Sequence, residues 1–236
     1  MTSPLPLVLP LPAPAPIAVV RHPRARAVRL RVDPATGEVR LVLPPRASLA
    51  SAMRWAAEKS AWIAAARAKL PPPRPFLSGA HLPYRGGELE ICWRADAPRR
   101  VTREGDRLIC GGPLDGLAAR ITRWLRSEAL GLLRAETTEF AHLAGVDVAQ
   151  ISLGDPRGRW GSCSARGTIR YSWRLILMPD IVRRAVVAHE VAHRVHMHHG
   201  PAFHALVARL VGRDAGHARD WLRTHGSALH WVGRSA

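Results

Sequence analysis

Two histidines four residues apart, with a glutamate beside the first, are the residues of this sequence best suited to chemistry. They form the pattern His189-Glu190-Val191-Ala192-His193. Residues four apart lie on one face of an α-helix, so both imidazoles can reach a single ion. Glu190 would then lie close enough to take a proton from a water that the ion activates. This arrangement predicts a single-zinc hydrolase.

The surrounding residues predict a helix whose buried face carries these groups. We expect the helix to begin at Pro179-Asp180, with Asp180 as N-cap, and to end before Gly200-Pro201. Burying three polar groups on an apolar face is unfavourable unless they are paired or bind a metal, so a metal site is favoured. The alternative is a solvated face on which Glu190 pairs with Arg194 at i+4. The predicted face is formed by Val182, Ala185, Val186, His189, Glu190, His193 and Met197.

A third ligand is expected from the histidines that follow the motif. His196 is predicted to be still helical, where it can flank the site but would crowd a tetrahedral ligand set. His198 and His199 both fall at the helix end, and His204 follows Pro201. We predict His199, which precedes Gly200-Pro201, with His198 as the alternative. Three histidine ligands and an open position predict one catalytic zinc ion per chain.

Further segments around the motif resemble one family of zinc proteases. The chain resembles the YgjP-like metallopeptidases, which are related to the SprT-type and WLM-type proteases, most closely over residues 150–210 and more weakly back to Arg21. Val191 and His198 stand where family members commonly have Leu and Asn. The segments that carry the resemblance are Arg159-Trp160-Gly161-Ser162-Cys163-Ser164, Gly167-Thr168-Ile169-Arg170, Trp173-Arg174-Leu175, Pro179, the His189 motif and His199-Gly200-Pro201-Ala202-Phe203.

The resemblance implies a minimal zincin with a defined set of roles. His189, His193 and His199 would hold zinc, Glu190 would be the catalytic base, and a peptide or protein would be the substrate. From the residues themselves, Arg159, Tyr171 and His196 are the candidates to contact substrate or stabilise an oxyanion. Each also has a structural interpretation: Arg159 can brace its turn, Tyr171 can pack in the core, and His196 can be solvated.

Three functions are compatible with these residues. The leading hypothesis is a cytoplasmic zinc metallopeptidase. The first alternative is a metal-dependent phosphohydrolase acting on nucleotides, because zinc and many arginines also suit phosphoryl chemistry. The second is a basic nucleic-acid-associated protein with a structural zinc, which is the weakest because it gives Glu190 no task. The sequence does not indicate an oligomeric state.

Composition restricts the compartment and the partners. The net charge is +17, and Lys59 and Lys69 are the only lysines. The arginines are spread along the chain, which predicts nonspecific, salt-dependent contact with nucleic acid. Cys92, Cys110 and Cys163 form no C-x-x-C pair, which is typical of a reducing compartment. No apolar run is long enough for a membrane span, and the Pro-rich start lacks a basic n-region, so we expect neither a membrane anchor nor export.

The pattern of elements predicts an α+β fold. Residues 1–16 are expected to be a disordered Pro-rich tail, 17–112 a β-rich subdomain with one helix, and 113–236 a zincin-like hydrolase domain. In the subdomain we predict a hairpin over 28–43, a helix from the Ser48 cap to about Leu70, and short strands between 82 and 110. In the hydrolase domain we predict a helix over 114–143 and a hairpin of antiparallel strands, 148–153 and 168–177, beside the motif helix. Two further helices are expected after Pro201.

Overall fold

A computed structural model describes residues 16–212 and 215–235 of the chain. Apart from Pro16, the predicted Pro-rich tail lies outside the described residues. The contacts divide the chain into two compact units, Met1–Pro71 and Pro72–Ala236. The sequence-based division falls later, after residue 112. The two divisions differ because the strands that follow Pro72 share one hydrophobic core with the long helix after residue 112.

The first unit is a small sheet covered by two short helices. Its strands are β1 (Ile17–Arg21), β2 (Arg29–Val32) and β3 (Val39–Leu43), in the order β1-β3-β2. The predicted hairpin is confirmed, because β2 and β3 are antiparallel. Strand β1 adds in parallel to the other edge of β3.

The helix predicted after Ser48 is two helices, which corrects the sequence-based expectation. They are α1 (Leu49–Glu58) and α2 (Ser60–Ala68). Ser48 is the N-cap as predicted, and its Oγ accepts from the backbone N–H of Ser51 at 3.3 Å. The break lies at Lys59, which leaves helical geometry at φ −93° and ψ 15°. Propensity alone does not mark this break, since alanine and lysine favour helix on both sides of it.

A four-stranded sheet and a long helix form the first half of the second unit. The strands are β4 (His81–Tyr84), β5 (Gly87–Trp93), β6 (Thr102–Glu104) and β7 (Arg107–Cys110), in the order β4-β5-β7-β6. A 3-10 turn leads into α3 (Leu117–Ala144), close to the predicted bounds. The buried face of α3 repeats every four residues through Ile121, Leu125, Ala129 and Leu133.

The sheet beside the motif helix has mixed pairing. Its strands are β8 (Gln150–Gly154), β9 (Gly161–Cys163) and β10 (Thr168–Ser172), in the order β8-β10-β9. The α+β fold class is confirmed, but the expected hairpin is corrected: β8 and β10 are parallel, and the antiparallel pair is β9–β10. The sequence pattern missed β9 because a strand of three small residues carries no apolar alternation.

Three helices complete the second unit: α4 (Asp180–Ala192), α5 (Pro201–Val211) and α6 (Ala215–Leu229). Two details of the motif helix differ from expectation. Pro179 is the N-cap, and Asp180 is the first helical residue. The helix ends at Ala192 with His193 as C-cap, so His196 is not helical. Among the described residues, no helix is both long and apolar enough to cross a membrane.

Candidate metal centre

Three imidazoles converge where α4 ends and the chain turns back towards α5. His189 and His193 lie at the end of α4, and His199 lies just before Gly200, the N-cap of α5. One ring nitrogen from each of these histidines lies within 4.8 Å of the others. The Nε2 atoms of His189 and His199 are 3.1 Å apart. The early end of α4 creates this geometry, because the seven-residue return can bring His199 back over the helix end.

The chemistry of these donors fits a zinc ion. Nδ1 of His193 lies 3.1 Å from the carbonyl oxygen of His196. When Nδ1 carries the proton and donates it to this oxygen, the lone pair of Nε2 is free to bind a metal. Burial lowers the pKa of His189 to about 4 and also lowers the pKa of His193. Neutral imidazoles are the form that binds metal. Three imidazole nitrogens suit zinc better than calcium or magnesium, which prefer oxygen ligands.

The ring of Phe203 packs against all three imidazoles. It lies in the first turns of α5 and is 1% exposed. Its ring centroid lies 4.9 Å from that of His189, 4.6 Å from that of His193 and 4.7 Å from that of His199. Such ring contacts restrict the rotation of the histidine side chains. The sequence predicts that the helix after Pro201, which carries Phe203, covers the site, but it does not predict the contact of this ring with all three imidazoles.

Glu190 is buried against the first residue of β9. Its exposure is 6%, and burial raises the pKa of its carboxyl group to about 7, while Arg159 acts in the opposite direction. A Cβ atom added at Gly161 would lie 2.6 Å from both Cγ and Oε1 of Glu190. Only glycine leaves room for the carboxylate at this point. The R-W-G-S-C segment therefore contributes a backbone that packs directly on Glu190.

A cavity of about 390 Å³ opens onto His189 and Glu190. It lies between α4, α5, α6 and the segment that leads into β9, and among the described residues Glu190 is the only carboxylate in its lining. Two cationic side chains, Arg159 and Arg219, also line it. The apolar part of the wall comes from Trp160, Ala185, Val186, Phe203, Val207, Ala218 and Leu222.

The three predicted substrate contacts lie in different surroundings. Arg159 lines the cavity. Tyr171 is 0% exposed and its hydroxyl lies 3.0 Å from Oγ1 of Thr137, so it packs in the core and is not available to a substrate. His196 does not line the cavity and serves through its backbone carbonyl, which faces His193.

Three other residues considered from the sequence also have clear positions. His198 is exposed and is not part of the nitrogen cluster. His204 lines the cavity, with its ring 6.3 Å from that of His199. Cys163 is half-buried against the core and is not part of the cluster.

Arg174 is a residue that sequence reasoning missed. It is 8% exposed, and its guanidinium donates to both carboxylate oxygens of Asp155, at 2.8 and 3.1 Å. The same group donates to the carbonyls of Leu229 and Val232, at 2.7 and 2.8 Å. It thus ties the end of β8 to the end of α6, which supplies one wall of the cavity. The only feature of the sequence that could have indicated this role is that Arg174 belongs to the Trp173-Arg174-Leu175 segment of the family resemblance.

Comparison with known proteins identifies the family. A sequence model of the YgjP-like metallopeptidase domain matches residues 26–225, which include the three imidazoles, Glu190 and Gly161. The chain belongs to the YgjP-like metallopeptidase family. This membership confirms the resemblance drawn from the motif segments and supports a metal-dependent peptidase at the level of the family.

Beyond the family, the comparisons give one solved structure and no curated relative. No protein of the curated set is similar enough in sequence to count as a match. This YgjP-like chain is similar in structure to the metallopeptidase zymogen abylysin of Pyrococcus abyssi, with a TM-score of 0.36 and 16% sequence identity. The similarity covers 39% of this chain and 92% of abylysin.

Proposed function

We propose that this protein is a zinc-dependent peptidase in which Glu190 is the general base. The observation that carries the proposal is that Glu190 lines the same cavity as His189, one of the three converging imidazoles. Glu190 is buried and forms no ion pair with the described residues, whereas beside a metal held by the clustered imidazoles it would have a catalytic task. Family membership supports the same conclusion.

The chain's own groups account for the proton transfers. A zinc ion held by His189, His193 and His199 would supply the Lewis acidity that makes a water molecule nucleophilic near neutral pH. An Oε atom of Glu190 accepts the proton of the attacking water and then delivers it to the leaving nitrogen. Arg159, on the wall of the same cavity, is the donor that we assign to the developing oxyanion.

The edge of β9 supports a peptide as the substrate. Within the described strands, β9 pairs with β10 alone, so its other edge keeps unpaired backbone groups. Helix α4 packs beside β9, and Gly161 at the start of the strand lies against Glu190. An extended peptide that adds to this edge would place its backbone beside the carboxylate. The two cavity arginines would also suit a phosphate, so nucleotides form the comparison in the test.

The compartment is also part of the proposal. Cys92, Cys110 and Cys163 are all free thiols. Unpaired cysteines are usual in reducing surroundings, and we therefore propose a cytoplasmic location.

The decisive experiment compares the wild type with Glu190→Gln. Both proteins should contain about one zinc per chain, because the substitution leaves the three nitrogen donors in place. The wild type should hydrolyse casein or members of a peptide library, and Glu190→Gln should be slower by about 10²-fold or more. Near-normal turnover in the variant would exclude the general-base role. Release of phosphate from nucleoside triphosphates without peptide cleavage would overturn the peptidase.

The third ligand can be tested by two neighbouring substitutions. His199→Ala should lower zinc affinity by orders of magnitude, because it removes one of the three clustered donors. His198→Ala is the matched control, since this exposed side chain is outside the cluster and its loss should leave affinity unchanged. Competition titration with a zinc chelator measures both. Full affinity in His199→Ala would transfer the ligand role to another residue.

A further inference from the structure

A second concave site lies in the same unit and is lined by arginines. This groove, of about 740 Å³, runs between the segment before β6 and the start of α3. It shares no residue with the cavity at the metal centre. Its cationic side chains are Arg99, Arg100, Arg120 and Arg123. We call it the arginine groove.

Three of these arginines have no carboxylate partner among the described residues. Arg99, Arg100 and Arg123 are exposed and take part in no ion pair there. Other arginines of the unit do find acidic partners, as in the pairs Arg94–Asp96 and Arg107–Glu90. Placing like charges side by side without partners is unfavourable, and an anionic ligand would remove that repulsion.

Acidic side chains do not neutralise the groove. Asp115 and Glu128 are the acidic residues in its lining, against four arginines. Glu128 also accepts a hydrogen bond from the hydroxyl of Tyr84 at 3.2 Å, and its charge offsets only one of the four arginines. The groove therefore keeps an excess of positive charge.

Arg120 is held in place in the wall of the arginine groove. Its NH2 group donates to the carbonyl of Pro113 at 2.7 Å. Its Nε atom is buried, and its guanidinium lies beside the thiol of Cys110. Arg120 is therefore fixed in the groove wall, where it adds to the positive charge that Arg99, Arg100 and Arg123 present.

An aromatic side chain indicates which anion the groove binds. Trp124 lines the groove and is half-buried, with its ring centroid 5.5 Å from that of Tyr84. Proteins that bind single-stranded nucleic acid combine a basic groove, which contacts the phosphates, with aromatic side chains on which bases stack. We propose that the arginine groove binds single-stranded nucleic acid, with Arg99, Arg100 and Arg123 on the phosphates and Trp124 beside a base. The proposal does not depend on the peptidase activity.

The test separates this groove from the general charge of the protein. The groove variant replaces Arg99, Arg100 and Arg123 by Gln in the full chain. The control variant replaces Arg134, Arg166 and Arg209 by Gln; these arginines are also exposed and have no ion pair among the described residues. Both variants lose the same formal charge. Binding of a fluorescent oligothymidylate is measured by anisotropy over a range of salt concentrations, and thermal unfolding checks that both variants are folded.

The expected results differ between the two variants. The groove variant should bind at least about tenfold more weakly, and the slope of log affinity against log salt should fall by about 2, since three phosphate contacts are lost. The control variant should bind nearly as the wild type does. Equal losses in the two variants would overturn the proposal, because overall charge would then explain the binding.

Two competitors test the identity of the ligand. Polyglutamate and inorganic polyphosphate, each of the same charge as the oligonucleotide, should compete less well, because neither offers bases to Trp124. If either competes as strongly as the oligonucleotide for the wild type, single-stranded nucleic acid is not the ligand.

Discussion

At position 161, contact with Glu190 leaves room for glycine only. A methyl group at this position would lie 2.6 Å from Cγ and Oε1 of Glu190, well inside van der Waals contact. Gly158, three residues earlier in the same segment, has open space at the corresponding position within the described structure. The two glycines differ in what lies next to them, although both belong to the loop and strand that follow β8.

Gly161→Ala should therefore impair catalysis without removing the metal. The added methyl must push the Glu190 carboxylate aside, and a displacement of about 1 Å can lower turnover by about 10²-fold. Zinc content should stay near that of the wild type because the three imidazoles are not touched. Gly158→Ala should retain normal turnover. Peptide hydrolysis and elemental analysis of both variants provide the check, and a fully active Gly161→Ala would mean that Glu190 adapts freely.

For single residues, the sequence predicts the position of a side chain where that position depends on neighbouring residues alone. Spacing of four on a helix was enough to bring His189 and His193 together. His199 could be chosen over His198 only by an argument about the turn, which the position of its ring nitrogen supports. Tyr171 could not be placed, because its burial depends on which face of β10 meets α3 through Thr137. Long-range packing of this kind leaves no mark in the local sequence.

Helix α4 is attached to α3 by two ion pairs of similar geometry and different burial. Arg183 donates to Glu136, and these side chains are 1% and 6% exposed. Arg184 donates to Glu139 in a pair whose side chains are 36% and 48% exposed. The two pairs are neighbours on the same helices, so they form a matched comparison of a buried and a solvated interaction.

We expect Glu136→Ala to lower the free energy of unfolding far more than Glu139→Ala does. The first substitution leaves the Arg183 charge buried without its main partner, which typically costs about 3–5 kcal/mol. The second removes a solvent-screened pair, which typically contributes about 0–1 kcal/mol. Urea unfolding of the two variants measures the difference. Equal effects would show that burial of the Arg183–Glu136 pair has no special influence on stability.

Sequence patterns predict some helix boundaries correctly but not the strand pairing beside α4. The long helix was predicted within a few residues because its apolar face repeats every four residues over its whole length. The pairing of β8 with β10 was wrong because the short strand β9 takes the place expected for a hairpin partner. The end of α4 was also misplaced, since Val195 to His199 contain no glycine or proline that would mark a stop.

At the scale of the whole unit, residues distant in sequence complete the site. Arg174 binds Asp155 on one side and the carbonyls of Leu229 and Val232 on the other. Near the start of the same unit, the backbone of Arg74 pairs with that of Trp231 and Gly233. These contacts fix the end of α6, and α6 contributes Ala218, Arg219 and Leu222 to the cavity.

Arg174→Lys should loosen α6 while the metal ligands stay in place. Lysine keeps the charge but cannot bind a carboxylate and two carbonyls at once. We expect the amides of residues 218–229 to exchange hydrogen about tenfold faster or more, since local opening becomes easier. Arg170→Lys, an exposed position on β10, is the control and should exchange normally. Unchanged exchange in Arg174→Lys would show that other contacts hold the helix.

The long separation between Arg174 and its partners has a consequence for biosynthesis. Leu229 and Val232 follow Arg174 by 55 and 58 residues. During translation, the carbonyls that Arg174 binds are therefore made after all three imidazole-bearing residues. The wall of the cavity that α6 supplies can be fixed only once this segment has been added.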